Sequence, residues 1–254
     1  MSVQQIRQSD IATWPDEYES ILEFYFWEPQ HLNRFSPPPD RRKALNTVLE
    51  HLRAKEVPLN HLFSIFFSLA PAALSARLIS AIAPDITSSS ADLINSSAFR
   101  RSKLRGICQP DLLLIVDGRP VFLELKLQAK TSKEQLLKYA LAGETIGANR
   151  DIPPALVLVG RSAKFAAADI FEREREAGSL IVPAKIERRA FSVDVSPERL
   201  VEAARRMPIF RASYADIRNH LLSELETIST EVEGGQTLRK LVVGMVYVLE
   251  RLKP

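Results

Sequence analysis

The sequence predicts an α/β fold with additional helices at both ends of the chain. Two apolar runs flank the dipeptide Asp117-Gly118, "LLLIV" before it and "RPVFLEL" after it, and this arrangement predicts a β-hairpin. The continuous apolar run "ALVLVG" is typical of a strand that is covered on both faces. Helical patterns precede, separate and follow these strands, which is the order of elements in an α/β protein.

Composition limits the class of protein. The chain has 254 residues, of which 46% are hydrophobic and 26% charged, and this suffices for a large buried core without disulfides. The net charge of +3 is compatible with a polyanionic partner, but also with many other functions. Cys108 is the only cysteine, which excludes an internal disulfide and a cysteine-based zinc site. The four histidines show no metal-ligand spacing.

No segment of the sequence predicts insertion into a membrane. The N-terminal residues, "MSVQQIRQSDIATW", lack the basic-then-apolar order of a secretory signal. The longest apolar run, residues 62–76, is interrupted by Pro71 and is too short to cross a bilayer. We therefore expect a cytoplasmic protein.

The first part of the chain is predicted to be mainly helical. A proline-rich break precedes a predicted helix over residues 41–56. Residues 59–83 are apolar nearly all round and predict one or two buried helices, broken near Pro71. A serine-rich polar loop over residues 84–106 follows, with room for a short strand inside it.

After the hairpin, helices and strands alternate. A helix over residues 131–143 is expected to end at Gly143, and the strand "PALVLVG" follows it. The next predicted elements are a helix over residues 163–178 and strands around residues 179–183 and 188–195.

The last part of the chain is predicted to consist of helices that dimerise, cover the core or dock a partner. Their amphipathic patterns cover residues 196–206, 213–229 and 236–252. The predicted domains are an N-terminal extension over residues 1–56, a core over residues 57–195 and a C-terminal helical extension over residues 196–254.

The hairpin brings three charged residues to one end of the sheet. A two-residue turn at Asp117-Gly118 places Asp111 opposite Glu124. Lys126 is two residues beyond Glu124 and therefore points to the same face. Facing carboxylates destabilise a sheet unless a positive charge lies between them, and either Lys126 or a divalent cation such as Mg²⁺ supplies that charge. An ordinary solvated ion-pair cluster is the alternative.

These residues resemble the signature of the PD-(D/E)xK nuclease superfamily. Pro110-Asp111 is followed, after a gap of hairpin length, by Glu124-Leu125-Lys126. The next helix carries Gln135 and Tyr139 in the Gln-x-x-x-Tyr spacing of the RecB-like branch. The resemblance covers about residues 105–160 and implies a restriction-endonuclease-like core, in which a central mixed β-sheet is flanked by helices.

The resemblance also implies a role for each residue of the signature. Asp111 and Glu124 would ligate Mg²⁺, or Mn²⁺ as a substitute, together with the backbone carbonyl of Leu125. Lys126 would orient the attacking water or help to deprotonate it. The Gln-x-x-x-Tyr pair would position this lysine or a DNA phosphate.

Two features leave alternatives open. Gln135 follows Ser132 at the spacing of a capping box, so its side chain could serve only the helix N-terminus, and Tyr139 could be a packing residue. Many members of the superfamily carry a glutamate on the first core helix, where this sequence has Asn60. An amide oxygen can ligate a metal, but it brings no negative charge.

A cluster of basic residues precedes the hairpin. It consists of Arg100, Arg101, Lys103 and Arg105. Beside a metal site such a cluster would bind backbone phosphates without reading their sequence, whereas the alternative is a solvated basic loop.

Taken together, these observations lead us to expect a Mg²⁺-dependent nuclease that hydrolyses phosphodiester bonds of DNA by means of an activated water. The alternative is a catalytically inactive module of the same fold that binds nucleic acid or takes part in protein assembly. A homodimer or a protein partner would use the C-terminal helices.

Overall fold

The fold is built on a five-stranded mixed β-sheet. The computed structural model describes residues 13–18, 56–94, 107–127, 131–146 and 152–252. The strands lie in sequence order across the sheet and are β1 (Ala91–Leu93), β2 (Leu112–Val116), β3 (Arg119–Lys126), β4 (Ala155–Gly160) and β5 (Ile209–Ser213). The first three strands are antiparallel neighbours, and β4 and β5 continue the sheet in parallel.

Helices surround this sheet in the described part of the chain. Their bounds are α1 (Glu56–Leu69), α2 (Ala72–Ile82), α3 (Lys133–Ile146), α4 (Ala166–Glu176), α5 (Ala184–Phe191), α6 (Pro197–Arg206), α7 (Tyr214–Thr227) and α8 (Gly235–Arg251). None of them has the length and apolar content that crossing a membrane requires.

The helices form two layers, one on each face of the sheet. Leu123 and Leu125 of β3 point to the layer made by α1, α2, α7 and α8, whereas Phe122 points to the layer made by α3 to α6. Every residue of β4 is buried, which explains its continuous apolar sequence. The predicted α/β class with a mixed sheet flanked by helices is therefore confirmed.

The predicted hairpin is confirmed in both turn and register. Asp117 and Gly118 have φ angles of 46° and 82°, as a two-residue turn of type I′ requires. Val116 pairs with Arg119 and the register continues without a bulge to Leu112 opposite Leu123. The last paired residue of β2 is therefore Leu112, and Asp111, a residue of the candidate site, is its direct neighbour in the sequence.

Several helices also lie where the sequence predicts them. The break near Pro71 separates α1 from α2, and β1 is the short strand inside the serine-rich loop. The three C-terminal amphipathic patterns correspond to α6, α7 and α8. The predicted helix over residues 41–56 lies almost entirely outside the described residues.

Three local predictions are wrong. Residues 188–195 do not form a strand, because α5 runs to Phe191 and Ile186 and Ala190 pack into the core at helical spacing. Residues 179–183 have no regular structure. Gly143 does not end its helix: a Cβ there would lie 2.2 Å from Cγ of Pro154, so this glycine allows a close approach inside α3.

The fifth strand was not predicted from the sequence, and it joins the predicted C-terminal extension to the sheet of the predicted core. β5 follows residue 195, so the sheet draws its last strand from the segment that the sequence assigns to a helical extension. α8 packs into the same core, where Met245 is fully buried. The short helical segment at residues 14–18 is tied to α8 by a hydrogen bond from Trp14 Nε1 to the carbonyl of Leu241 (3.1 Å).

A bidentate ion pair links two helices on the α8 side. The Nε and Nη2 atoms of Arg77 donate to the two carboxylate oxygens of Glu224 at 2.9 and 2.7 Å, and His220 Nε2 lies 3.4 Å from the same carboxylate. Glu224 is only 7% exposed. The hydrogen bonds from Arg77 hold the pKa of Glu224 below its usual 4.5, against the opposing effect of burial.

We expect Arg77→Ala to lower the free energy of unfolding at pH 7 by about 2 kcal/mol, because it leaves a buried carboxylate without its charged donors. Arg77 is itself half exposed, which keeps the loss below that of a fully buried pair. Since the pKa of Glu224 is lowered on folding, this stabilisation is present above pH 4.5 and is lost as the pH falls through the folded-state value.

Urea unfolding of both proteins at neutral pH and below pH 4.5 checks this expectation. The difference between wild type and variant should shrink in acid, and an equal difference at both pH values would contradict it. Arg161→Ala removes an exposed arginine as a matched control and should change stability by no more than about 0.5 kcal/mol.

Candidate active site

Three donors converge on the carboxylate of Glu124. This side chain lies on β3, points to the α3 side of the sheet and is 3% exposed. Oε1 accepts from Gln135 Nε2 (2.5 Å) and lies 2.6 Å from Lys126 Nζ, while Oε2 accepts from the hydroxyl of Tyr139. Burying a carboxylate is costly unless it is hydrogen-bonded, and all of these donors come from residues of the predicted set.

Asp111 lies one residue beyond the last pair of the ladder, where the register that the turn sets, continued by one residue, brings it opposite Glu124. It directly precedes β2, whose first residue, Leu112, pairs with Leu123. One carboxylate oxygen accepts from the backbone N–H of Leu125 at 2.7 Å, and the other accepts from Nδ2 of Asn60. The end of the hairpin therefore carries two carboxylates, that of Glu124 on β3 and that of Asp111 just before β2.

Lys126 compensates part of this negative charge. Its ammonium forms the ion pair with Glu124, and its side chain is only 12% exposed. The predicted placement of both residues on one face is confirmed. The two carboxylates and one ammonium leave one formal negative charge at this end of the sheet, which a divalent cation would reverse.

Gln135 and Tyr139 are one turn apart on α3 and both face Glu124. Ser132 Oγ accepts from the backbone N–H of Gln135 at 3.2 Å, which is half of a capping box, but the Gln135 amide itself donates to Glu124. Tyr139 is buried against Phe122, at 5.3 Å between ring centroids, so it is a packing residue and a donor at once.

The ionisation state of Tyr139 suits its role as a donor. Burial, reinforced by the negative charge of Glu124, raises the pKa of Tyr139 well above its usual value. The phenol therefore keeps its proton throughout the physiological range. It can fix the orientation of the Glu124 carboxylate without competing for a cation.

The oxygen donors at this end of the sheet are of the chemical type that hard cations prefer. Within the described residues, no group of three or more His, Cys, Asp or Glu side chains is arranged to hold a metal. Asn60 adds a neutral oxygen, because its Oδ1 atom is buried and has no hydrogen-bond partner in the described part of the chain. Two carboxylates with amide or backbone oxygens and waters suit Mg²⁺, which rarely uses an all-protein cage.

The four basic residues predicted to contact phosphates lie outside the described residues. They are Arg100, Arg101, Lys103 and Arg105. Of the predicted metal ligands, Leu125 is buried on β3, and its N–H is the donor to Asp111.

Gln135 and Tyr139 also line a cleft of about 400 Å³, which no feature of the sequence predicts. Lys138 and Arg189 line it, the latter anchored by a hydrogen bond from Nη1 to the carbonyl of Ile107 (2.7 Å). Arg189 lies on α5, about 50 residues after Gln135 and Tyr139 in the sequence, and no sequence motif links it to them.

Comparison with known proteins adds nothing to these observations. No family model, curated protein or solved structure matches the chain. Any statement about the function of this site therefore depends on the geometry of the described residues.

Cys108 lines the cleft beside Gln135 and Tyr139, and the charge of Glu124 affects the pKa of its thiol. Burial, with a contribution from the charge of Glu124, raises the pKa of the Cys108 thiol from 9.0 to about 12. At pH 8 the thiolate fraction then falls from about one tenth to about one ten-thousandth. We expect iodoacetamide to modify the folded protein about 10³-fold more slowly than the urea-denatured protein.

The pH dependence of this modification separates charge from access. In the denatured protein the rate should level off just above pH 9, whereas in the folded protein it should still rise beyond pH 10, as long as the fold is intact. A folded-state rate that levels off near pH 9 would show that the thiol is merely hidden.

Proposed function

We propose that this chain is a Mg²⁺-dependent nuclease with a restriction-endonuclease-like core of the PD-(D/E)xK type, acting on phosphodiester bonds of DNA. One observation carries the proposal: Lys126, Gln135 and Tyr139 all bond to Glu124, at the end of a hairpin that places Asp111 opposite it. A solvated ion-pair cluster needs neither the burial of Glu124 nor donors from a second element.

The chain's own residues would divide the work of hydrolysis. Asp111 and Glu124 would hold the cation, with the free amide oxygen of Asn60 beside them. When bound, Mg²⁺ lowers the pKa of a coordinated water and neutralises charge on the phosphate. Water would add to phosphorus and lose a proton to solvent, and the bond to the leaving sugar oxygen would break as that oxygen takes up a proton from solvent.

Lys126 is the residue placed to act on the attacking water. Its ammonium lies against the carboxylate that would hold the cation, so it would orient the water and favour its deprotonation by stabilising the hydroxide that forms, while the proton goes to solvent. Gln135 and Tyr139 are positioning residues, since they fix the Glu124 carboxylate from α3. A site held by two rigid elements keeps the geometry that in-line displacement requires.

A specific observation favours a second candidate, a catalytically inactive module of the same fold that binds nucleic acid or assembles with protein. Asn60 lies on α1, where an acid would add a third negative charge, and its amide instead donates to Asp111. This hydrogen bond occupies one carboxylate oxygen that a cation would use, and the missing charge lowers metal affinity.

The deciding experiment is a cleavage assay on supercoiled plasmid, linear duplex, single-stranded DNA and RNA, each with EDTA, Mg²⁺ or Mn²⁺. The nuclease proposal expects cleavage of DNA only with metal, and a decrease of about 10²- to 10⁴-fold in Lys126→Ala, the usual contribution of a group that assists proton transfer. Undiminished cleavage by Lys126→Ala would indicate a contaminating enzyme. Absence of cleavage with every substrate and metal would favour the inactive module.

A further inference from the structure

A second cleft adjoins the candidate active site at the carboxyl ends of β3 and β4. It has a volume of about 460 Å³, and Lys126 lines it together with Gly160, its parallel partner on β4. Crevices at the carboxyl ends of parallel strands are common places for ligands to bind. The same lysine therefore belongs to both the site and the cleft.

The lining of this cleft is basic. Among the described residues it contains the side chains of Lys126, Arg161 and Lys164 and no aspartate or glutamate. Arg161 and Lys164 are exposed, and neither forms an ion pair or a hydrogen bond within the described part of the chain. Two cations without internal partners beside a third favour an anionic ligand.

A buried hydroxyl in the cleft lacks a partner. Thr131 is 8% exposed and lines the cleft just before α3 begins. Its Oγ1 atom has no hydrogen-bond partner among the described residues. An unsatisfied buried hydroxyl costs free energy, and a hydrogen bond to an oxygen atom of a bound ligand would remove that cost.

The start of α4 forms the opposite wall. Ala166 and Ala167, its first residues, line the cleft, and the N-cap residue Phe165 supplies no side-chain acceptor for the first N–H groups. A helix N-terminus carries a partial positive charge and donors that suit a phosphate. This charge adds to that of the unpaired side chains.

We propose that this cleft binds a backbone phosphate of a nucleic-acid strand, next to the phosphodiester bond that is cut. The inference rests on the proposed function, since it assigns the track by which the substrate strand reaches Lys126. Arg161 and Lys164 supply charge, and Thr131 and the first turn of α4 supply neutral donors. Such contacts fix position without reading sequence.

The test is the binding of a fluorescein-labelled single-stranded oligonucleotide without divalent metal, followed by anisotropy over a range of salt concentrations. Arg161→Ala/Lys164→Ala should weaken binding on the order of tenfold and reduce the salt slope by about 1. Arg239→Ala/Lys240→Ala removes the same two charges from exposed positions on α8 and should leave both quantities unchanged.

Thr131→Val probes the neutral donor while keeping the shape of the side chain. Binding should weaken about three- to tenfold, and the melting temperature should not fall, because the buried hydroxyl has no partner to lose among the described residues. A lower melting temperature with unchanged binding would assign Thr131 a structural role and remove it from the cleft's donors.

The outcomes separate this inference from the proposed function. Equal effects of the two double variants, or no effect of either, would overturn the proposal that this cleft binds a phosphate, even if the protein cuts DNA. Loss of binding in Arg161→Ala/Lys164→Ala alone supports the cleft even if no substrate is cut. Inorganic phosphate or a mononucleotide that competes as well as the oligonucleotide would show a small-molecule site and overturn the strand assignment.

Discussion

Glu124→Gln is expected to lower metal-dependent DNA cleavage by about 10³- to 10⁴-fold, which corresponds to about 4 to 5.5 kcal/mol of transition-state stabilisation. The substitution keeps the shape of the side chain but removes the charge that would hold the cation. It also replaces one acceptor oxygen by an N–H₂ group. Of the donors from α3, Gln135 and Tyr139, one then loses its acceptor.

Thermal unfolding gives a second measurement for the same variant that does not depend on cleavage. A cation at 100 times its dissociation constant should stabilise the wild type by about 2.7 kcal/mol. For a chain of this size that raises the melting temperature by roughly 5 to 10 °C. Glu124→Gln should show no such shift, whereas Glu250→Gln, an exposed position on α8, should respond like the wild type. Equal responses of all three proteins would mean that Glu124 binds no metal.

The central hairpin could be predicted because its information is local. A two-residue turn with positive φ at both positions sets the register, and the register alone puts Asp111 opposite Glu124. The family resemblance suggested only that Gln135 and Tyr139 position Lys126 or a DNA phosphate, and their contact with Glu124 is seen in the structure alone. Helical spacing by itself shows only that these two residues share a face.

Other features could not be predicted because they depend on tertiary context. β5 is five residues long with Arg211 inside it, and it is a strand because β4 offers a free edge. At residues 188–195 alternating apolar residues suggest a strand, but Phe191 is exposed and the segment ends a helix. The free hydroxyl of Thr131 becomes informative only when its surroundings are known.

Core packing behind the site connects the stability of the fold to the geometry of Glu124. Phe122 is fully buried, and its ring lies 5.3 Å from that of Tyr139, tilted by 40°. We expect Phe122→Ala to lower the free energy of unfolding by about 3 to 5 kcal/mol, through lost burial and the cavity that remains. Chemical denaturation at a fixed pH measures this loss.

The same cavity should also affect function, because it removes the support of the ring whose hydroxyl donates to Glu124. At a temperature where the variant is folded, we expect cleavage to fall by about tenfold or more, since small displacements of positioning groups are costly. Phe66→Ala opens a comparable cavity on the α1 side, away from Tyr139, and should lose similar stability without this additional loss of activity.

If Phe122→Ala does not fold, Phe122→Leu gives the same comparison at a smaller cost, typically below about 1.5 kcal/mol. Equal activity losses in the variants on the two faces would show that Tyr139 does not depend on Phe122 for its position, and the link between core packing and the carboxylate would then be wrong.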